Sequence, residues 1–237
     1  MKHRQAVSMA VMILLLLILP ACGPDNGTPS VTSPSPTTSL PSTTPPATTT
    51  PGTSTPPTTS APPVISGTFI FNFDAGSPVL NVGQSTPFSS TVSGITAEFS
   101  SSSGAAYSIQ NQAATNFILS QFSGKYIYDN DVSRSSLQIK FSQPMNSVSI
   151  VFATTDSHGP GNVETPTELR VVAYSGSTST PPIGAAAARG VFANDTFPQG
   201  TVTFTSAVAF NIIVLETVPV LNGASAFLID QLAATAN

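Results

Sequence analysis

Leu137-Gln-Ile-Lys-Phe-Ser-Gln-Pro-Met-Asn-Ser-Val-Ser-Ile-Val-Phe152 is the stretch that decides the fold. Its opening alternates. Leu137, Ile139 and Phe141 share one parity, Gln138 and Lys140 the other, and side chains of one parity stand on one face of a strand. Pro144 then interrupts, in a run of polar residues that reads as a turn, because proline has no N–H to give a ladder. A second apolar run, residues 148–154, follows. The same grammar recurs outward in both directions. Phe69, Phe71 and Phe73 fall on one parity, as do Ile95, Ala97 and Phe99, and residues 169–174, 201–205, 210–215 and 226–232 are further short apolar runs between clusters of Gly, Ser, Asn and Pro. This spacing predicts an all-β fold, a β-sandwich of antiparallel strands over residues 64–237. No segment sustains a 3.6-residue stripe. Residues 185–188, bracketed by Gly184 and Gly190, read as a strand of small side chains, with a single helical turn as the alternative; residues 113–119 read as a helical turn. Pro87, Pro144 and Lys140 are the expected guards of exposed sheet edges.

The first 63 residues differ in character. Lys2 and Arg4 precede an apolar run over residues 6–19, which falls short of the ~20 residues a spanning helix needs, and Pro20-Ala21 leads to Cys22. Leu19-Pro20-Ala21-Cys22 resembles the lipobox of bacterial lipoproteins. The resemblance implies a signal peptide over residues 1–21, cleavage before Cys22, and acylation of that cysteine. Acyl chains at Cys22 would hold the mature chain to a membrane without a transmembrane helix, on the extracytoplasmic side. Gly23 directly after the cysteine favours the outer membrane or cell surface, as the resemblance implies. Residues 22–63 contain almost nothing but Pro, Thr, Ser, Gly and Ala, too little apolar surface to fold, and read as a disordered, extended stalk.

Composition narrows the function. Charged residues make up 8% of the chain and acids outnumber bases 11 to 7, which excludes a basic nucleic-acid-binding surface. One cysteine and two histidines leave no cysteine-rich metal site and no histidine-based metal centre. No cofactor is required by any motif. A Ser-His-acid hydrolase would have to use His158, no G-x-S-x-G elbow occurs, and the hydrolase stays a remote alternative. Acid pairs such as Glu164 with Glu168 sit in loop-like segments and give no argument for a glycosidase. The chain is expected not to be an enzyme.

The deciding stretch, with Phe71-Asn72-Phe73-Asp74, Ser123-Gly124-Lys125-Tyr126-Ile127, Leu169-Arg170-Val171-Val172-Ala173-Tyr174 and Phe227-Leu228-Ile229-Asp230-Gln231-Leu232, resembles the bacterial extracellular jelly-roll domains, some of which are carbohydrate-binding modules. That resemblance implies a jelly-roll-like sandwich. It also implies that Asp74, ending the first strand, and Asp230, in the last, lie side by side and hold a structural Ca²⁺ with backbone carbonyls. The alternative is that these aspartates cap strand ends or bond to loop amides.

Sugar binding uses aromatic faces and planar polar groups, and with no Trp the tyrosines must serve. Tyr126 and Tyr128 share parity and run into Asp129, Asn130 and Asp131. Tyr126, Tyr128, Asp129 and Asp131 are therefore the expected ligand patch. The competing assignment makes the tyrosines core-edge residues. Two readings of function follow: a glycan-binding module displayed at the cell surface, or a structural or adhesive envelope protein that meets protein partners.

Overall fold

The computed structural model describes residues 63–130, 136–156, 165–218 and 226–237. Among them are ten strands: β1 (Gly67–Phe71), β2 (Phe88–Val92), β3 (Ile95–Ser101), β4 (Tyr107–Asn111), β5 (Lys125–Asp129), β6 (Leu137–Thr154), β7 (Glu168–Tyr174), β8 (Gly184–Arg189), β9 (Gln199–Val218) and β10 (Phe227–Ala236). All pair antiparallel.

The stretch around Pro144 is one long strand, where the sequence predicts two strands and a turn. The first half of β6 pairs with β3 and with the second half of β9, through Ile139 opposite Phe99 and Ile213. Its second half pairs with β10 and the first half of β9, through Ile150 opposite Leu232 and Val202. Between Lys140 and Ser147 the register with β9 shifts twice. Both strands are long enough to continue through this irregular span, so the ribbon bends instead of turning back. Pro144 falls within the bend, where a missing N–H disturbs the ladder least.

This bend folds one continuous sheet into a sandwich. One layer runs β4-β5-β10-β6-β9 with β1 also against β10; the other runs β2-β3-β6-β9-β7-β8. Their inner faces share a single core. Phe71, Phe99, Phe141, Phe152, Phe210 and Phe227 are wholly enclosed in it, each contributing about 1.5–3 kcal/mol by burial. Phe73 and Phe88 add their rings to Phe99 at 5.7 and 5.0 Å between centroids. The parity expected of Phe69, Phe71 and Phe73 holds for burial, although Phe73 lies past the end of β1 in a left-handed conformation (φ 61°). Residues 185–188 lie in strand β8 as expected. Ala186 and Ala188 pack on the core.

Two further expectations are corrected. The helical turn is a 3₁₀ turn at Gln112–Ala114, opened by the Asn111 side chain accepting from the Ala113 amide at 2.9 Å, and it ends before Phe117. Lys140 and Pro144 guard no edge, because β6 is central in both layers. The segment before β2 does that work: Thr86 donates its amide to Tyr107 and Gly83 to Ile109 on β4, while Ser77 and Thr91 exchange amides on β2. Pro87 lies just beyond this capping segment.

Candidate functional site

The connection between β4 and β5 does not leave the protein as a free loop. After its 3₁₀ turn, it lies back across the outer face of the first layer and is pinned there by side chains from distant segments. Thr196 exchanges hydrogen bonds with Ile118, its Oγ1 accepting from the Ile118 amide at 2.8 Å and its own amide donating to the Ile118 carbonyl at 2.8 Å. Asp195 accepts from the Ser120 amide and hydroxyl at 2.8 and 2.9 Å, and Gln199 Oε1 accepts from the Gln121 amide at 3.0 Å. Under the segment sits a second apolar cluster of Leu119, Phe122, Tyr126, Ala153 and Leu228. The sheet's outer face is therefore apolar where it is covered.

At the β4–β5 side of this cover is a cleft of about 220 Å³, lined by Gln110, Thr115, Phe117, Tyr126, Tyr128 and Asn130. Strand parity explains the lining. Ile127 points into the core, so Tyr126 and Tyr128 point out, and across the ladder they meet Gln110 and Ser108 on β4. Ser108 ties the amides in place: its Oγ accepts from Gln110 Nε2 and from Asn130 Nδ2, each at 2.9 Å. No lining residue is charged. Aromatic carbon beside fixed amides suits a neutral ring carrying hydroxyls.

Tyr126 is the unusual member. Its ring is fully buried and meets Phe122 edge-on at 5.7 Å, yet its Oη has no hydrogen-bond partner. Burial pushes the phenol above its ordinary pKa; the nearby Thr115 hydroxyl acts the other way, and Tyr128 adds a smaller upward push. Thr115 donates its hydroxyl to the Gln112 carbonyl at 3.1 Å.

Of the expected patch, Tyr126 and Tyr128 line this cleft. Asp129 does not join them: it has the parity of Ile127 and is buried, at 4% exposure, on the opposite face. Asp131 lies outside the described residues, as do Cys22, His158 and Glu164. Glu168 is bound to Arg189 at 3.1 Å. Asn130 belongs to the polar run that the sequence places beside the tyrosines, whereas Gln110, Thr115 and Phe117 are not expected from it. Gln110 was readable from parity once β4 and β5 are paired; nothing local marks Thr115 or Phe117. Larger troughs, of about 300 and 410 Å³, cross the outer face of the other layer around Ser100 and Gln138. They bring in only one tyrosine, Tyr174, and no unpaired buried hydroxyl among the described residues.

Asp74 and Asp230 converge on the base of the same covering segment. Asp230 Oδ2 accepts from the Ser123 amide and Asp74 Oδ1 from the Lys125 amide, both at 2.9 Å. Between them, Gly124 has φ +67°, and a Cβ there would stand 2.2 Å from Asp74 Oδ2. Asp230 falls where the register of β10 with β6 shifts, is 4% exposed, and leaves its Oδ1 without a partner. Burial raises its pKa to about 6, the Ser123 amide lowers it, and the Asp74 charge raises it further. Lys125 does not neutralise the pair; its ammonium donates to the Leu80 carbonyl at 2.8 Å. Among the described residues no three His, Cys, Asp or Glu side chains gather as a metal site.

No family model and no curated protein matches the chain. Solved structures similar to it at low level include two adhesin domains and a carbohydrate-binding module. The K2 cleaved adhesin domain of Lys-gingipain gives a TM-score of 0.39 at 10% identity, over 58% of this chain and 90% of that one. The K1 cleaved adhesin domain of Lys-gingipain from Porphyromonas gingivalis W83 gives 0.39 at 12% identity, over 72% and 99%. A family 6 carbohydrate-binding module gives 0.31 at 13% identity, over 56% and 95%.

Proposed function

We propose that the chain is a lipid-anchored surface protein whose β-sandwich binds an uncharged glycan, without catalysis, in the cleft of Tyr126 and Tyr128. One observation carries this reading: two outward tyrosines and Phe117 share a cleft of about 220 Å³ with the Gln110 and Asn130 amides and, among the described residues, no charged group. Sugar rings present apolar C–H faces and hydroxyl edges. The cleft answers both, with carbon faces for the ring and amides held in orientation by Ser108 for the edge. The described core lies wholly between Phe69 and Ala236, which makes residues 64–237 the unit to test. That domain, titrated across a glycan array, is expected to take neutral sugars. Tyr128→Ala, at a half-buried position, is expected to abolish binding with the melting curve retained. An array on which neutral sugars never bind would sink the reading.

Attachment to the membrane through acylated Cys22 rests on Leu19-Pro20-Ala21-Cys22. Metabolic labelling with a palmitate analogue should mark the wild-type chain and not Cys22→Ser. Label persisting in the variant would overturn the assignment.

A structural Ca²⁺ between Asp74 and Asp230 belongs to the same proposal. The orphaned, buried Oδ1 of Asp230 is the feature that fits a hard cation, with Asp74 beside it, and carbonyls would have to complete the shell. Both carboxylates also accept loop amides, the alternative role the sequence allowed, and the two roles are compatible because each amide occupies one oxygen.

A further inference from the structure

We infer that the hydroxyl of Tyr126 determines specificity in the cleft, by exchanging a hydrogen bond with a ligand hydroxyl that reaches it when residues 116–117 lift; this rests on the glycan reading above. Four observations combine. Tyr126 lines the cleft, yet its Oη is buried and unpaired, a state that costs free energy until a partner arrives. The Thr115 hydroxyl, the polar group that acts on the phenol, is itself turned to the Gln112 carbonyl, to which it donates at 3.1 Å. The strap that shields the hydroxyl is sparsely bonded: among the described residues the amides of Asn116 and Phe117 find no hydrogen-bond partner, whereas Thr115 on one side and Ile118 on the other are anchored through theirs. Phe117 is held through its ring, which meets Phe197 at 4.8 Å and packs on the cluster around Leu119, Phe122 and Tyr126.

Lifting the strap exposes a phenol that can both donate and accept, at the floor of a cleft whose walls are amides. An alcohol matches such a group. A carboxylate or phosphate does not, because among the described residues no cation lines the cleft to offset its lost hydration. The ligand class is therefore a neutral sugar that buries one hydroxyl against Tyr126 while its ring lies on Tyr128 and Phe117.

Tyr126→Phe removes one oxygen and keeps the ring. The variant and the wild-type domain would be melted without ligand, then titrated by calorimetry with cellotriose, chitotriose and mannotriose, and with trigalacturonate as the charged control. The expected result is a higher melting temperature for Tyr126→Phe, roughly 3- to 10-fold weaker affinity for whichever neutral trisaccharide the wild type binds, and no binding of trigalacturonate by either. Unchanged affinity in Tyr126→Phe, with binding lost in Tyr128→Ala, would overturn this inference and leave the glycan reading standing: the hydroxyl would then serve a bound water only. A lower melting temperature would also overturn it, by showing that the hydroxyl already has a partner. If the wild type binds none of the neutral sugars and fails on a broad array, the glycan reading itself falls.

Discussion

Asp230→Asn tests the electrostatics of the fold most directly, because it removes one buried charge and little else. Asp230 has a folded pKa of about 6 against an ordinary 3.8, raised first by burial and further by the charge of Asp74. Above pH 6 the carboxyl is ionised in both folded and unfolded chains, and the folded state alone bears the cost of the buried charge. As pH falls from about 6 towards 3.8 the folded chain takes up a proton that the unfolded chain does not, so stability rises through that window and levels off below it. The gap between the two values corresponds to about 3 kcal/mol at most. Solvent reaching the exposed Asp74 side of the pair reduces this to roughly 1–3 kcal/mol.

Asparagine at position 230 retains an oxygen for the Ser123 amide and carries no charge. In EDTA at pH 7.5, Asp230→Asn should therefore melt higher than the wild type by about 2–10 °C for a domain of this size, and at pH 4 the two curves should meet. Differential scanning calorimetry from pH 4 to 8 measures this. Parallel curves for the two proteins, or an Asp230→Asn variant that is less stable at pH 7.5, would refute the reasoning. Calcium gives an independent arm: a cation between the carboxylates replaces the proton as the neutralising charge. Millimolar Ca²⁺ should then raise the wild-type melting temperature at pH 7.5, and should leave Asp230→Asn nearly unmoved.

Gly124→Ala should destabilise the domain by more than the ~1–2 kcal/mol of a left-handed alanine, since its Cβ would stand 2.2 Å from the Asp74 carboxylate; denaturant melts of Gly124→Ala, Asp74→Ala and the double variant should show positive coupling, and strict additivity would refute the contact. Phe99→Ala, at a fully enclosed ring flanked by Phe73 and Phe88, should cost about 3–5 kcal/mol by urea titration. Glu98→Ala should change stability by less than about 1 kcal/mol, because its pairing with Lys140 is a 4.0 Å contact between side chains that are each more than half exposed; a large, salt-dependent loss would contradict this.

The strands were legible because each buries one parity. Leu137, Ile139 and Phe141 are buried, as are Ile95, Ala97 and Phe99, since the apolar period of two survives folding when one face meets a core. The corner at Pro144 was not legible for the opposite reason. A turn and a bend have the same local composition, and what separates them is whether a partner strand follows the chain through. That partner is β9, more than fifty residues further along. The edge guards failed likewise: Lys140 resembles an edge lysine until β3 and β9 are seen on either side of it.

In the cleft, parity supplied Tyr126 and Tyr128 but misassigned Asp129 by one position: the alternation that turns the tyrosines outward turns Asp129 inward. Chain beyond the strand then supplies Asn130 as the polar partner. The wall of the cleft was beyond local reading because, although Gln112 holds Thr115 locally, Phe117 and the residues after it are set in place by Asp195, Thr196, Phe197 and Gln199 through contacts spanning 75 residues or more. The two features that the sequence treated as separate sites thereby become one. Asp74 and Asp230 hold the base of the segment, at Lys125 and Ser123, and its middle forms the wall over Tyr126. A change of charge at the base acts on the same segment that the proposed ligand would displace. Stability measured against pH and affinity measured at the cleft therefore report on one element of the fold, and a variant that alters the first at Asp230 is the natural control for the second at Tyr126.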